Sequence, residues 1–246
     1  MNHWRLLALD LDGTLLTADR TISEENRKWL LKAREHGIEF TFATGRIFPG
    51  FVAQYAAELA ISLPIITLNG SAVWSPQATL LEQTVLSPTQ VDFMFDLANR
   101  YARYYWVCTV DQVFDETSFP KVKDRLSFAK FGFVAEDKHT INTIWDALIT
   151  YGGLEVTNTD PLNIEVNPIG VNKGNALKKV CESLDIDAKD VVTMGDSLND
   201  IAMLRYAGLG IAMENAQQAV KDSATYETAR NTEDGVARAI EKLLLG

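Results

Sequence analysis

Residues 5–16 read RLLALDLDGTLL and combine a short apolar run with two closely spaced carboxylates. The apolar run is too short to form a helix of its own and is typical of a buried strand. Asp10 and Asp12 lie where this strand ends. Gly13 can adopt the backbone angles of a sharp turn, and Thr14 adds a hydroxyl and an amide after it. The stretch therefore predicts a strand, an acidic tip and a turn.

Strands and helices alternate after this turn. Ser23, followed by two glutamates, is typical of a helix start, and the apolar stripe that follows it ends at Gly37. Residues 38–43 then predict a second strand, residues 51–59 a helix and residues 64–68 a third strand. Such alternation indicates an α/β fold, a parallel sheet covered by helices, in which ligands bind beyond the carboxyl ends of the strands.

The pattern changes after residue 70. Residues 72–74 and 80–82 predict a hairpin, and Ser87, followed by a proline, opens an amphipathic helix. The chain is then rich in aromatic, alternating stretches up to about residue 168, with a helix at about 141–151 between them. This region predicts an α+β domain inserted into the parallel-sheet domain.

The alternation of strands and helices resumes after Pro168. Asn172 can cap a helix, and the strands predicted at 191–194 and 208–213 are each followed by a helix. We therefore expect an α/β core with one insertion. Its boundaries are a core of residues 1–83 and 169–246 and an inserted domain of residues 84–168.

Composition and charge exclude several classes of partner. The 246 residues are 47% apolar, and 33 Asp and Glu against 23 Lys and Arg give a formal charge of −10. This charge repels nucleic acid and anionic membranes, and no apolar run approaches the roughly 20 residues of a membrane span. Cys108 and Cys181 are isolated, and no signal peptide is recognisable. A cytoplasmic protein is expected.

Four polar clusters stand at comparable places in the predicted fold, and two of them are acidic. Asp10, Asp12, Asp196 and Asp200 would meet at one edge of the sheet. These carboxylates can share a small volume only if a positive charge neutralises them. Oxygen ligands without a nearby His or Cys favour Mg²⁺. The sequence therefore predicts a magnesium site.

The other two clusters, at Thr44 and at Lys173, suit a phosphate group, together with Thr14 of the first cluster. Thr14 and Thr44 can donate hydrogen bonds to phosphoryl oxygens, and Lys173 supplies a positive charge. Asp10 is our candidate nucleophile, because a carboxylate is already ionised at pH 7. Asp12 is the candidate acid and base for the leaving oxygen and the attacking water. Three further residues are expected at the phosphate: Gly45, Arg46 and Asn199.

Taken one at a time, most of these motifs also have a simpler structural explanation, whereas a calcium-binding loop at Asp10 is excluded by its sequence. Asp-Gly is a common turn pair, and Thr44-Gly45-Arg46 fits an ordinary turn from a strand into a helix. An EF-hand loop beginning at Asp10 would need Gly at position 15 and Glu at position 21, where the chain has Leu and Thr. Lys173 opposes the dipole of its helix unless it meets an anion, and Asp196 could be a helix cap.

Aromatic and histidine residues are assigned packing or surface roles. Trp74, Trp106 and Trp145 fit the core of the inserted domain better than a surface that binds substrate. The three histidines have no recognisable partner and are expected at the surface or in packing: His3, His36 and His139.

In combination, the four clusters resemble the motifs of the haloacid dehalogenase-like phosphohydrolases. Further segments are similar to the Cof-type members, which carry a large α+β cap between the second and third motifs. The four motifs are Asp10-Leu-Asp12-Gly-Thr14, Thr44-Gly45-Arg46, Lys173-Gly174 and Gly195-Asp196-Ser-Leu-Asn199-Asp200, and the Cof-type segments are Asn69-Gly70, 212–216 and 233–237.

The resemblance implies a Rossmann-like core, a mobile cap and Mg²⁺-dependent hydrolysis of phosphomonoesters through a phosphoaspartate at Asp10. It implies that Asp10 and Asp196 hold the metal with their side chains and Asp12 with its backbone carbonyl. Asp200 and Asn199 would support the site, and Thr44 and Lys173 would bind phosphate. The presence of Asp12 argues against dehalogenase chemistry.

The substrate remains open at the sequence level. A small phosphorylated metabolite is expected, either a sugar phosphate or a cofactor phosphate such as pyridoxal phosphate or flavin mononucleotide, acted on by a monomer or small homo-oligomer. A phosphohexomutase could use the same core. A non-enzymatic metal-binding regulatory protein is the third possibility, disfavoured because every expected catalytic residue is present.

Overall fold

The computed structural model describes residues 4–246 and contains three sheets. The strands are β1 Leu6–Leu9, β2 Glu39–Phe42, β3 Ile65–Thr67, β4 Ala72–Trp74, β5 Leu80–Gln83, β6 Tyr104–Cys108, β7 Val113–Asp115, β8 Lys130–Val134, β9 Leu154–Thr157, β10 Asn163–Pro168, β11 Val191–Gly195, β12 Leu209–Ala212 and β13 Tyr226–Glu227.

Eight α-helices accompany these strands in the described part of the chain. They are α1 Glu24–Glu35, α2 Ala53–Glu58, α3 Pro88–Tyr101, α4 Lys138–Tyr151, α5 Lys173–Ser183, α6 Ile201–Tyr206, α7 Gln218–Lys221 and α8 Gly235–Ala239, the last continued by a helical turn at Ile240–Leu244. None of them is long and apolar enough to cross a lipid bilayer.

The core sheet is parallel, with the strand order β13-β12-β11-β1-β2. All four residues of β1 are buried, as its apolar sequence requires. Leu9 at its end lies beside Phe42 of β2 and Met194 of β11. The residues that follow these three strands therefore meet at one edge of the sheet, which confirms the α/β prediction.

Local sequence signals explain where the core helices begin and end. The side chain of Ser23 accepts a hydrogen bond from the Asn26 amide at the start of α1, and Asn172 accepts one from Asn175 at the start of α5. Gly37, with φ of 83°, ends α1. These caps place Lys173 in the first turn of α5, at the carboxyl edge of the sheet.

Two details of the core differ from the sequence-based expectations. The strand expected at 64–68 forms β3, which pairs with β4 in a small antiparallel sheet and joins the core through one bridge between Ala43 and Ile66. The chain turns back because Leu68 and Asn69 adopt left-handed backbone angles. The segment Phe48–Val52 forms a π-helical turn interrupted by the non-helical Pro49 and Gly50, and the α-helix expected from residue 51 begins after it, at Ala53.

The inserted domain is a five-stranded antiparallel sheet with the order β7-β6-β8-β10-β9. One face of this sheet packs against α3 and α4 and carries large apolar residues, among them Phe131, Phe133 and Val166. Trp145 packs against this cluster, as expected. The architecture confirms the inserted α+β cap predicted from the sequence.

The positions of Trp74 and of two histidines can be compared with the sequence-based expectations. Trp74 lies in β4 and stacks on Phe48, with ring centroids 5.1 Å apart, within the core of the parallel-sheet domain. Its assignment to the inserted domain was therefore wrong. His36 and His139 are exposed, as expected, and His3 lies outside the described residues.

Candidate active site

Three carboxylates meet beyond the carboxyl edge of the core sheet. Asp10 follows β1, Asp196 follows β11, and Asp200 lies in the short helical turn after Asp196. One oxygen atom from each lies within 4.8 Å of the others. Such a group of oxygen donors fits a hard divalent cation.

Lys173 is fully buried between two of these carboxylates. Its Nζ lies 2.5 Å from Asp10 Oδ1 and 2.6 Å from Asp200 Oδ1. Burial lowers the pKa of Lys173, but the two carboxylates outweigh burial and keep this pKa above its ordinary value. Burial, reinforced by the charges of Asp200 and Asp196 and opposed by Lys173, raises the pKa of Asp10 well above its ordinary value.

Asp200 holds the loop that carries Asp196. Its Oδ2 accepts hydrogen bonds from the backbone amides of Asp196, at 2.9 Å, and Ser197, at 3.0 Å. With Lys173 on Oδ1, this buried carboxylate already has three hydrogen bonds. Asp200 is therefore placed to orient the other acidic residues and Lys173.

Asp196 lies directly against the turn after β1. Its Oδ1 accepts a hydrogen bond from Thr14 Oγ1 at 3.0 Å, and a side chain at Gly13 would bring its Cβ within 2.4 Å of Asp196 Oδ2. Gly13 also has φ of 79°. Burial, reinforced by the charge of Asp200, raises the pKa of Asp196 to about 7. The turn therefore accommodates the Asp196 carboxylate as well as the chain reversal.

Asp12 is not part of the group of three clustered carboxylates and is paired with Arg46. Its side chain is 53% exposed and accepts two hydrogen bonds of 2.5 Å, one from Arg46 Nε and one from Arg46 Nη2. These bonds to Asp12 raise the pKa of Arg46. Arg46, expected at the phosphate, thus holds the candidate acid and base in this structure.

Thr44 and Gly45 follow β2 at the same edge. Thr44 is buried, and its hydroxyl accepts a hydrogen bond from the Arg46 amide at 3.2 Å. The carbonyl oxygen of Gly45 accepts one from Lys130 Nζ at 2.6 Å. Because Lys130 belongs to β8 of the inserted domain, this bond joins the cap to the predicted phosphate loop.

A buried polar network that sequence reasoning missed continues from Lys130. Lys130 Nζ lies 2.8 Å from Glu165 Oε1, and Glu165 Oε2 accepts a hydrogen bond from Asn69 Nδ2 at 2.7 Å. Asn199 Nδ2 in turn donates to Asn69 Oδ1 at 3.1 Å. The sequence does contain a signal for this network, because Lys130 in β8 and Glu165 in β10 each stand between apolar neighbours. The network connects the cap to the predicted phosphate-binding residue Asn199.

A cavity of about 540 Å³ lies between the two domains. Asp10, Asp12 and Asn199 line it from the core. Trp106 lines it from the cap, and its expected place inside the cap core was wrong because its side chain lies on the opposite face of the sheet from the helices. The cavity therefore joins the carboxylates to an aromatic residue of the cap.

The comparisons with known proteins agree with this architecture. The family model of the haloacid dehalogenase-like hydrolases matches residues 7–240. The chain is 42% identical to the 5-amino-6-(5-phospho-D-ribitylamino)uracil phosphatase YcsE of Bacillus subtilis (strain 168), over 98% of this chain and 96% of that protein. It is 29% identical to the pyridoxal phosphate phosphatase YbhA of Escherichia coli (strain K12), over 98% and 99%.

A solved structure shows the same fold. A haloacid dehalogenase-like hydrolase from B. subtilis superimposes with a TM-score of 0.86 at 26% identity, over 98% of this chain and all of that one. Together with the match to the family model over most of the chain, this confirms the resemblance seen in the motifs. The chain belongs to the haloacid dehalogenase-like hydrolases.

Proposed function

We propose that the chain is a Mg²⁺-dependent phosphatase that hydrolyses small phosphomonoesters through a phosphoaspartate at Asp10. One observation carries this proposal: buried Lys173 joins Asp10 to Asp200 beside Asp196, and Asp10 faces the cavity between the domains. The phosphatases among the relatives support the reaction class. The candidate substrates are sugar phosphates and cofactor phosphates such as pyridoxal phosphate or flavin mononucleotide.

The donor atoms suit the proposed metal. The side chains of Asp10 and Asp196 and the backbone carbonyl of Asp12 would hold Mg²⁺, with Asp200 orienting them. Burial raises the pKa of both Asp10 and Asp196, so a bound cation would favour the ionised carboxylates that the reaction needs. When bound, Mg²⁺ supplies positive charge that offsets the charge of the phosphoryl group.

The first chemical step is an attack by a carboxylate oxygen of Asp10 on phosphorus. A bond forms between them while the bond from phosphorus to the leaving oxygen breaks, and Lys173 balances the charge of the reacting groups. Asp12 donates a proton to the leaving oxygen, for which it turns away from Arg46. Three residues at the same edge, Thr14, Thr44 and Asn199, would contact the phosphoryl oxygens.

The second step regenerates the enzyme. Asp12, now deprotonated, accepts a proton from water, and the oxygen of that water attacks phosphorus of the aspartyl phosphate. The bond between phosphorus and Asp10 breaks, which releases inorganic phosphate. We assign these steps to the core, residues 1–83 and 169–246, and recognition of the leaving group to residues 84–168, whose sheet lines the cavity.

Phosphate release from a panel of phosphomonoesters tests the proposal. The panel contains sugar phosphates, pyridoxal phosphate, flavin mononucleotide and 5-amino-6-(5-phospho-D-ribitylamino)uracil, each with Mg²⁺ and with a chelator. We expect metal-dependent turnover that is lost in Asp10→Asn and kept in Asp19→Asn, an exposed aspartate outside the site.

Three outcomes would count against parts of the proposal. Full activity of Asp10→Asn would overturn the nucleophile assignment. Folded wild-type protein that releases phosphate from no member of the panel would overturn the phosphatase assignment. A requirement for an added sugar bisphosphate, with isomerised sugar phosphate as product, would identify a phosphohexomutase.

A further inference from the structure

Trp106 in β6 lies across the neighbouring strand of the cap sheet. It pairs with Gly132 of β8, and a Cβ atom on Gly132 would lie 2.1 Å from Cε2 and 2.2 Å from Cζ2 of the indole ring. Such distances are far inside van der Waals contact. The ring therefore occupies the space that any other residue at position 132 would fill.

This arrangement fixes which side of the sheet carries Trp106. Residues alternate between the two faces of a strand, so Trp106, Lys130, Gly132 and Glu165 share one face, and Phe131 lies on the other with the helices. The shared face lines the cavity through Trp106, Lys130 and Glu165. Trp106 thus offers an aromatic surface to whatever is attached to the reacting phosphate.

Further apolar residues line the same cavity. Val113 and Cys108 line the same cavity from the cap, and Phe51, 52% exposed, lines it from the core. A group rich in hydroxyls would lose hydrogen bonds with water against these side chains. A planar ring would bury both its area and its π face here.

A hydrogen-bond donor stands on the same face of the sheet. Lys130 Nζ has three N–H bonds, and the structure gives two of them partners, the Gly45 carbonyl and Glu165 Oε1. Lys130 lines the cavity, so its third N–H can reach an acceptor there. Carbonyl and nitrogen acceptors at the rim of a heteroaromatic ring match this arrangement.

We propose that Trp106, seated on Gly132, is the stacking surface for a planar heteroaromatic leaving group, and that it determines the preference of the enzyme for such phosphomonoesters. The proposal rests on the phosphatase function proposed above. Asp10 and Trp106 line the same cavity, so a phosphate attached to the ring through a short chain would face Asp10 while the ring contacts the indole. Gly132 is the residue that makes room for this geometry.

Steady-state kinetics of Trp106→Ala and Trp106→Phe test this inference. The planar substrates are pyridoxal phosphate and flavin mononucleotide, and the non-planar ones are ribose 5-phosphate and glucose 6-phosphate. Stacking of a base on an aromatic residue is worth about 10- to 100-fold in affinity. We expect Trp106→Ala to lower kcat/KM for the planar pair by about that factor, mainly through KM, and Trp106→Phe to retain most of it.

Matched variants separate stacking from general damage to the cap. Tyr101→Ala removes an exposed aromatic residue at the end of α3, outside the cavity, and should leave both substrate groups unchanged. Gly132→Ala should displace the indole and reproduce the loss seen for Trp106→Ala with planar substrates. Circular dichroism and thermal unfolding confirm that each variant is folded before its kinetics are compared.

Binding measured without turnover keeps this inference separate from the proposed function. Calorimetric titration of Asp10→Asn with pyridoxal phosphate, with and without Trp106→Ala, reports stacking even in a protein that releases no phosphate. Tenfold or greater weakening supports the inference. Unchanged binding in the folded double variant, or an equal loss of kcat/KM for planar and sugar substrates, would overturn it.

Discussion

Gly13 is required for two physical reasons that can be measured apart. Its φ of 79° is unfavourable for other residues, and a Cβ there would lie 2.4 Å from Asp196 Oδ2. Gly37 has a similar φ of 83° with no atom within 4 Å of its Cβ position. Gly13→Ala should lose roughly 1–3 kcal/mol more unfolding free energy than Gly37→Ala, from the clash alone.

Activity gives a second comparison for the same pair of variants. Displacement of Asp196 should reduce phosphate release in Gly13→Ala by at least about tenfold, while Gly37→Ala keeps wild-type activity. Urea unfolding and phosphate release, measured on the same preparations, check both statements. Equal losses in the two variants would mean that backbone strain, and not contact with Asp196, is what matters at Gly13.

Arg46 holds Asp12 through two parallel hydrogen bonds, a geometry that lysine cannot reproduce. Arg46→Lys should therefore lower kcat by about tenfold, since Asp12 loses the defined starting position from which it turns toward the leaving oxygen, with little change in thermal stability. Arg27→Lys, at the surface ion pair with Glu58, is the control and should leave kcat unchanged. An unaltered kcat in Arg46→Lys would show that the hydrogen bonds from Arg46 to Asp12 do not contribute to proton transfer.

Asp196 gives the metal-free protein a specific dependence on pH. Its pKa is about 7 when folded against an ordinary value of 3.8, so the folded state binds the proton more tightly than the unfolded state. Its contribution to the unfolding free energy is fully present below about pH 4 and falls as the pH rises to about 7. Mg²⁺, which competes with that proton, should bind about tenfold more weakly for each pH unit below 7.

Thermal unfolding at about pH 5.5 and about pH 8, with chelator and with Mg²⁺, checks this behaviour. Mg²⁺ should raise the Tm more at the higher pH. Asp196→Asn removes the titrating carboxyl at this position and should reduce the difference between the two pH values, with the remainder due to Asp10, whose pKa is also raised. A rise in Tm that is the same at both pH values in the wild-type protein would contradict the assignment of Asp196 to the metal site.

At the scale of single elements, strand ends were predictable and contacts between sheets were not. Parallel strands bring their carboxyl ends to one edge, so the positions of Asp10, Thr44 and Asp196 followed from short motifs. Trp106 and Glu165 depend on strand register inside the antiparallel cap sheet, which their local sequence does not reveal. The roles of the catalytic residues stay predictions.

The paired strands β8 and β10 contain the buried ion pair of Lys130 and Glu165, whose contribution to stability can be tested by substitution. Lys130 and Glu165 expose only 4% and 7% of their side chains. Lys130→Met leaves Glu165 charged and buried, which should cost about 3 kcal/mol of unfolding free energy. Lys130→Met combined with Glu165→Gln removes the charge and should recover part of this loss.

The control is the exposed ion pair between Lys179 of α5 and Glu82 of β5. Lys179→Met should change the unfolding free energy by about 1 kcal/mol or less. Chemical denaturation of the three variants and the wild type gives the comparison. If the double variant is no more stable than Lys130→Met, burial of an unpaired Glu165 charge is not the source of the loss.

At the scale of the whole molecule, the order of motifs along the chain was enough to recognise the family. The core sequence is interrupted once, and its two parts pair through β1 and β11. The boundaries at residues 84 and 168, the cytoplasmic location and the monomeric or small oligomeric state stay predictions, because each depends on features that motif order does not specify. With a charge of −10, binding of the proposed anionic substrate would depend on local cations such as Lys173, beside Asp10, and Lys130, which lines the cavity.

The two faces of the cap sheet have a consequence for how this enzyme can diverge. Its helices are held by one face, and the cavity is lined by alternate residues of β6, β8 and β10 on the other. Apart from the ion pair of Lys130 and Glu165, a substitution at one of these alternate positions changes the chemical character of the cavity wall without entering the cap core or the strand ends that carry the carboxylates. Natural variation at such positions would therefore change which leaving groups the cavity accepts, while Asp10, the proposed nucleophile, keeps its surroundings.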